Sequence, residues 1–199
     1  MLDWLKNINK EHPEFWKEYL AKFSKKSHRY VILSTDATGD STEKDVITFI
    51  SAFAVENDTV LIKDSFETIL LQYRFMHDNH LSNEYIIESK LLKLSEPEAL
   101  KSFVEYLGNG ILVGHEIASD VAMINATLER MDCGKLRNEA LDIDIMHRKL
   151  HELTEDKEFS LDELSQYYKI PQTQGESTTE KAYTIALLFL KLKFKLGLK

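Results

Sequence analysis

The stretch Arg29-Tyr30-Val31-Ile32-Leu33-Ser34-Thr35-Asp36-Ala37-Thr38-Gly39-Asp40 decides the fold of this chain. Apolar, mainly β-branched and aromatic residues lead into polar ones, and a glycine follows. This pattern predicts a buried strand that ends in a sharp turn, with Ser34, Thr35 and Asp36 at its carboxyl end. Because ligands of open α/β sheets bind beyond the carboxyl ends of strands, we expect a functional site there.

Further strands are predicted downstream of this turn. Residues 46–55 and 59–66 are rich in β-branched and aromatic side chains, and Glu56-Asn57-Asp58 between them is typical of a turn. The short connections predict an antiparallel meander of three strands. Residues 111–113 and 141–145 predict a fourth and a fifth strand, of which the fourth is parallel. We therefore predict an α/β fold with a central, mixed, five-stranded sheet flanked by helices.

Helices are predicted from capping sequences and from periodicity. Ser95, Ser160 and Ser177 each precede a glutamate by three residues, which is the capping-box pattern. A further helix is predicted within residues 1–26, where bulky side chains share one face at helical spacing: Phe15, Trp16, Tyr19, Leu20 and Phe23. We expect this N-terminal segment to be an arm that packs on a domain formed by residues 27–199, or alternatively on a partner.

The charge, the apolar runs and the cysteine count of the chain argue against several classes of protein. The chain has 199 residues, a formal net charge of −8 and a pI near 5.4, which argues against tight binding of nucleic acid through phosphates. The lysines near the C-terminus are expected on the solvated face of a helix: Lys191, Lys193, Lys195 and Lys199. Residues 1–6 lack the features of a secretory signal, and so we expect none; no apolar run approaches the ~18 residues that span a membrane. The single Cys133 excludes an internal disulfide and fits the reducing cytoplasm.

Two pairs of histidines could suggest zinc. His77 and His80 lie near one another, and His147 and His151 have the i, i+4 spacing that one face of a helix provides. No cysteine or further histidine completes either set of ligands. We therefore expect all four to be exposed polar side chains.

Two motifs resemble those of the DEDD-type 3′–5′ exonucleases, the family of the proofreading (epsilon) subunit of bacterial DNA polymerase III. The segment from Ser34 to Gly39 resembles the family's Asp-Thr-Glu-Thr-Thr-Gly, with serine at the first carboxylate and Asp36 at the second. The segment from Val113 to Asp120 resembles Val-Ala-His-Asn-Ala-x-Phe-Asp. His115 and Asp120 match this second motif.

The third family motif, His-x4-Asp-Ala at the start of a helix, is degenerate here. An alignment on Ala182 places the family histidine, the catalytic base, at Glu176 and the family aspartate at Lys181. The alternative register, with Gly175 and Glu180, recovers a carboxylate but loses the alanine. The resemblance spans residues 29 to 192 and implies a ribonuclease H-like exonuclease fold.

The family reaction uses two divalent cations, Mg²⁺ or Mn²⁺, which are held by carboxylates. The resemblance leaves Asp36 and Asp120 at metal-binding positions. An ammonium at Lys181 opposes a divalent cation, and so we expect no cofactor. We predict that the ammonium lies within ion-pair reach of Asp36 or Asp120; the alternative is that it points to solvent.

Three functions follow from these observations. The first is a non-catalytic member of the exonuclease fold that binds a DNA 3′ end or a replication or repair protein. The second is an active, metal-dependent 3′–5′ exonuclease that uses Asp36, Asp120 and Glu176 or Glu180. The third is a domain for protein interaction alone, which the acidic charge and the aromatic N-terminal helix favour.

Overall fold

A computed structural model of the protein describes residues 12–72, 83–154, 157–171 and 177–198. The strands in these ranges are β1 Tyr30–Ala37, β2 Ile47–Glu56, β3 Thr59–Leu71, β4 Leu92–Ser95, β5 Ile111–Gly114 and β6 Ala140–Asp142. The helices are α1 Glu14–Ala21, α2 Asn83–Glu88, α3 Glu96–Leu107, α4 Ile117–Arg130, α5 Ile143–Leu150, α6 Leu161–Tyr167 and α7 Thr178–Leu196. Within the described ranges, no helix combines the length and the apolar character that crossing a membrane requires.

The described strands form one mixed sheet in the order β4-β3-β2-β1-β5-β6. The predicted meander is present, because β2 pairs antiparallel with both β1 and β3. Strand β5 runs parallel to β1, and β6 runs parallel to β5. The α/β fold with a mixed sheet flanked by helices is thus confirmed, and β1 lies near the centre of the sheet.

Two details of the predicted sheet are wrong. The sheet has six strands, because β4 pairs in parallel with β3; this strand has four residues, too few to show a pattern. The fifth predicted strand, 141–145, ends at Asp142, where α5 begins. The Asp142 side chain accepts a hydrogen bond from the Asp144 N–H and so caps that helix. Ile145 is 57% exposed, and its alternation with Leu141 and Ile143 imitated a strand.

The strand period of two divides the core between the two faces of the sheet. On β1, Val31 and Leu33 pack in one apolar cluster with α3 and α4. Ile32, on the opposite face, packs in a second cluster with α5, α6 and α7. Ser34 and Asp36 continue the face of Ile32, and Thr35 continues the other. The end of β1 is therefore positioned between α7 on one side and α4 on the other.

The N-terminal helix packs on the sheet domain. Trp16 and Tyr19 of α1 are buried in the same cluster as α3 and α4. The Tyr19 hydroxyl donates to Asn138 Oδ1 at 2.6 Å and accepts from the Arg137 N–H at 2.8 Å. These contacts place the aromatic face of α1 inside the protein rather than on its surface.

The three predicted capping boxes are confirmed, at Ser95, Ser160 and Ser177. Two predictions of exposure are wrong. Lys193 is buried, because its ammonium donates to Asp58 of the β2–β3 turn, and His147 is only 2% exposed, because its Nδ1 pairs with the Tyr168 hydroxyl at 2.8 Å. His77, His80 and Lys199 lie outside the described residues.

Candidate functional site

The candidate site is built where β1 ends, and α7 supplies one side of it. Ser177 caps α7 through a hydrogen bond from the Glu180 N–H, which fixes the helix start above the strand. Thr178 and Lys181 then share a face of the first turns, since residues three apart lie side by side on a helix. The Thr178 hydroxyl donates to Asp36 Oδ2, and the Lys181 Nζ lies 3.7 Å from Asp36 Oδ1. Both oxygens of the Asp36 carboxylate are therefore engaged by α7.

The expectation that Lys181 reaches an aspartate agrees with this geometry. The Lys181 side chain is 46% exposed and that of Asp36 is 30% exposed, so the pair lies at the surface of the cleft. Glu180, the carboxylate of the alternative register, is turned the other way. Its Oε2 accepts from the Ser177 N–H and hydroxyl at 3.2 and 2.9 Å. Glu180 thus completes the capping box and does not face Asp36.

Helix α4 supplies the opposite side of the site. It begins after Glu116, whose backbone is left-handed with φ of 55°, and the Ile117 N–H donates to Asp142 Oδ2 at 3.0 Å. Asp120 lies in the first turn of α4, where the helix dipole favours an anion. Its Oδ1 accepts a hydrogen bond of 2.6 Å from the Thr35 hydroxyl.

Burial controls the charge of Asp120. Removal from solvent raises the pKa of this carboxyl to about 7, although the Thr35 hydrogen bond works in the opposite direction. The negative charges of Asp36 and Glu116 add to the increase. Near neutral pH, Asp120 is therefore protonated in a substantial fraction of molecules.

The sequence predicts three further site residues: Ser34, His115 and Glu176. Ser34 is buried and pairs across the sheet with Ser51 of β2. The His115 Nε2 lies 2.8 Å from the Phe159 carbonyl, which can only accept, so this nitrogen carries the proton and the ring is tied to the segment before α6. Glu176 lies outside the described residues.

Sequence reasoning missed the hydroxyl groups that complete this cluster. Thr35 was predicted at the strand end but was given no role, and Thr178 and Thr179 were not singled out. The Thr35 hydroxyl binds Asp120, that of Thr178 binds Asp36, and that of Thr179 donates to Glu67 of β3. Threonines at a strand end and at a helix start are common for purely local reasons. The only available signal was the position of Thr35 between two motif residues.

The donor groups present do not fit a pair of divalent cations. Mg²⁺ requires several oxygen ligands in a strict octahedral arrangement. Here one oxygen of Asp36 accepts a hydroxyl and the other faces an ammonium, and Asp120 Oδ1 accepts the Thr35 hydroxyl. Among the described residues, no three His, Cys, Asp or Glu side chains are grouped so that they could hold a metal ion.

Comparison with protein families gives a clear match. The family model described as "Exonuclease" matches residues 31–175, which includes β1, β5, α4 and α6. Among named proteins, the DNA polymerase III PolC-type of Latilactobacillus sakei subsp. sakei (strain 23K) is 28% identical over 172 residues, which are 84% of this chain and 11% of that protein. The PolC-type polymerase of Staphylococcus aureus is 26% identical over 168 residues, again 84% and 11%. The chain thus spans about a tenth of the length of these relatives.

Solved structures with the same fold are exonucleases and nucleases. E. coli exonuclease I in complex with a dT13 oligonucleotide superposes with a TM-score of 0.63 and 13% identity, over 86% of this chain and 42% of that one. The cell-death related nuclease 4 (CRN-4) gives 0.64 and 12%, over 85% and 64%. Exonuclease X in complex with 5′ overhanging duplex DNA gives 0.56 and 14%, over 85% and 94%. At these identities, the superpositions establish the shared fold.

Proposed function

The chain belongs to the exonuclease family, and from this premise we propose that it is a catalytically silent member that acts as a binding module in DNA replication or repair. The observation that carries the proposal is the Lys181 ammonium, 3.7 Å from the Asp36 carboxylate at the end of β1. A module of this kind holds a DNA 3′ end or a replication protein without cleaving it. It acts in the cytoplasm, in agreement with the free and buried Cys133.

The charge at the strand end supports the proposal. A pair of divalent cations is normally held by several ionised carboxylates, which offset most of the cations' charge. In this cluster, the Lys181 ammonium lies beside Asp36 and offsets the charge of that carboxylate. A divalent ion bound by Asp36 would be repelled by the ammonium.

A nuclease assay tests the proposal directly. The purified chain is incubated with labelled single-stranded DNA and with mismatched primer ends, in the presence of Mg²⁺ or Mn²⁺. We expect no shortening of the 3′ end. Digestion that disappears in both Asp36→Ala and Asp120→Ala would overturn the proposal in favour of the active 3′–5′ exonuclease, since these two carboxylates are retained. Digestion that persists in both variants would identify a contaminant.

A restoration experiment separates the effect of Lys181 on metal binding from the effects of the other degenerate positions. The variant Ser34→Asp, Asp36→Glu, Glu176→His, Lys181→Asp supplies the family residue at each degenerate position. We expect it to gain Mn²⁺ binding that calorimetry detects. The matched control carries the first three substitutions and retains Lys181, and it should not bind. Equal binding by both variants would show that Lys181 does not close the site.

A further inference from the structure

A groove lies where β1 begins, at the end of this strand opposite to the candidate site. A cavity of about 720 Å³ is bordered by the end of α1, by residues 25–29 that lead into β1, and by the β2–β3 turn. A second cavity of about 350 Å³ adjoins it and shares Lys25, Lys26, Ser27 and Asn109 with the first. Since β1 rises roughly 3.3 Å per residue, Arg29 and Asp36 are about 23 Å apart along the strand. The groove is therefore separate from the candidate site.

Positive charge is concentrated in this groove. Its basic residues are Lys22, Lys25, Lys26, Arg29 and Arg137, and its acidic residues are Glu18, Glu56 and Glu139. The excess of cations is unexpected in a chain with a net charge of −8. This acidic protein thus has a surface with an excess of basic residues where β1 begins.

Two of these cations are available to a ligand. Lys25 and Lys26 are exposed, and neither forms an ion pair with another described residue. Arg29, in contrast, is held by Asp64 at 2.6 Å and stacks on the Tyr106 ring. Asn109 Nδ2 donates to the Lys22 and Lys25 carbonyls at 3.1 and 2.8 Å. The backbone that carries the free lysines is therefore fixed before a ligand binds.

The lining favours a polyanion over a peptide. Ala21 is the one apolar residue that lines the larger cavity, and Phe23 and Ile111 line the smaller one. Protein partners are usually anchored by buried aromatic or aliphatic side chains, which the larger cavity does not offer. The volume of the larger cavity is in the range of small-ligand sites, which one nucleic-acid strand matches better than a duplex does.

We propose that this groove binds the phosphate backbone of a single-stranded nucleic acid, without sequence preference, through Lys25 and Lys26. This inference does not rest on the proposed loss of catalysis. Contacts to phosphates release counterions, and so the affinity must fall as the salt concentration rises.

Fluorescence anisotropy with labelled oligothymidylate and the full chain tests this site at about 50 mM salt. We expect the double variant Lys25→Glu, Lys26→Glu to bind about tenfold more weakly or worse. The slope of log K against log salt should also decrease by about 1.4, which corresponds to two lost contacts on a single strand. Because both lysines are exposed, circular dichroism of the double variant should show an unchanged fold.

The control is Lys63→Glu, Lys195→Glu, which makes the same change of net charge at two other exposed lysines. Equal weakening by this control would overturn the assignment, as would no binding by the wild-type chain. Tighter binding of an oligoglutamate peptide than of oligothymidylate would show that the groove serves an acidic protein instead. Loss of binding in the double variant Asp36→Asn, Lys181→Met would show that the oligonucleotide binds at the candidate site instead. This result would also refute the inference.

Discussion

Asp36 is the predicted metal-binding carboxylate whose two oxygens are instead engaged by side chains of α7. One carboxylate oxygen accepts the Thr178 hydroxyl and the other faces the Lys181 ammonium, so α7 satisfies it without any external ligand. An exposed ion pair of this kind contributes only ~0–1 kcal/mol to stability. The pair therefore matters for the charge that the cleft presents to a cation, and much less for folding.

The raised pKa of Asp120 predicts a pH-dependent stability. The unfolded carboxyl has the ordinary pKa of 3.8, whereas burial raises the pKa of the folded one to about 7. Between these values the native state binds more protons than the unfolded state, and so the free energy of unfolding falls as the pH rises. Asp120→Asn cannot ionise, and so its stability relative to wild type should increase by roughly 4 kcal/mol from pH 4 to pH 8.

Urea denaturation of both proteins at these two pH values measures this effect. The control is Asp40→Asn, which removes an exposed carboxyl from the loop that follows β1. An Asp120→Asn variant whose stability differs from wild type by the same amount at both pH values would contradict the assignment.

At the scale of elements, Asp142 connects the second motif to the rest of the sheet. Its two oxygens accept the Ile117 N–H of α4 and the Asp144 N–H of α5, at 3.0 and 2.8 Å. One side chain thus caps two helices, and one of these helices carries Asp120. The orientation of the candidate site depends on this residue although it lies outside the site.

Asp142→Ala should therefore lose two caps and cost about 2–3 kcal/mol, since one cap contributes roughly 0.5–2 kcal/mol. Asp142→Asn keeps one of the two acceptor oxygens and should therefore lose one cap, at a cost of about half that of alanine. Thermal unfolding measures both. If alanine and asparagine are equally destabilising, the charge of Asp142 matters and the capping hydrogen bonds do not.

The sequence was informative where local rules decide the structure. The capping boxes and the meander were predicted because serine–glutamate spacing and strand composition act over a few residues. β4 was missed, since four residues carry no period, and 141–145 was misread because a cap interrupts the alternation at Asp142. The cluster around Asp36 joins residues more than 140 positions apart, so Thr178 had no local signal. The burial of His147 and Lys193 depends likewise on tertiary packing.

At the scale of the whole molecule, α1 belongs to the core of the domain. Trp16 and Tyr19 are buried against the cluster of α3 and α4, and burial raises the pKa of Tyr19 to about 12. The aromatic face of α1 is therefore unavailable to a partner in this arrangement. The same packing fixes the segment that leads from α1 into the basic groove.

Trp16→Ala should destabilise the whole protein by about 3–5 kcal/mol, because it leaves a large cavity in a packed core. Lys17→Ala, an exposed neighbour on the same helix, should change stability by less than about 0.5 kcal/mol. Denaturation followed by both fluorescence and far-UV circular dichroism should give a single transition. Two separate transitions would show that α1 unfolds independently of the sheet.

The most direct test of the account is a calorimetric titration of the wild-type chain with Mn²⁺ at neutral pH. With the Lys181 ammonium beside Asp36, we predict no binding in the micromolar range. Micromolar binding of Mn²⁺ by the wild-type chain that is lost in Asp36→Ala would contradict the account, because it would show that a working cation site persists at the end of β1.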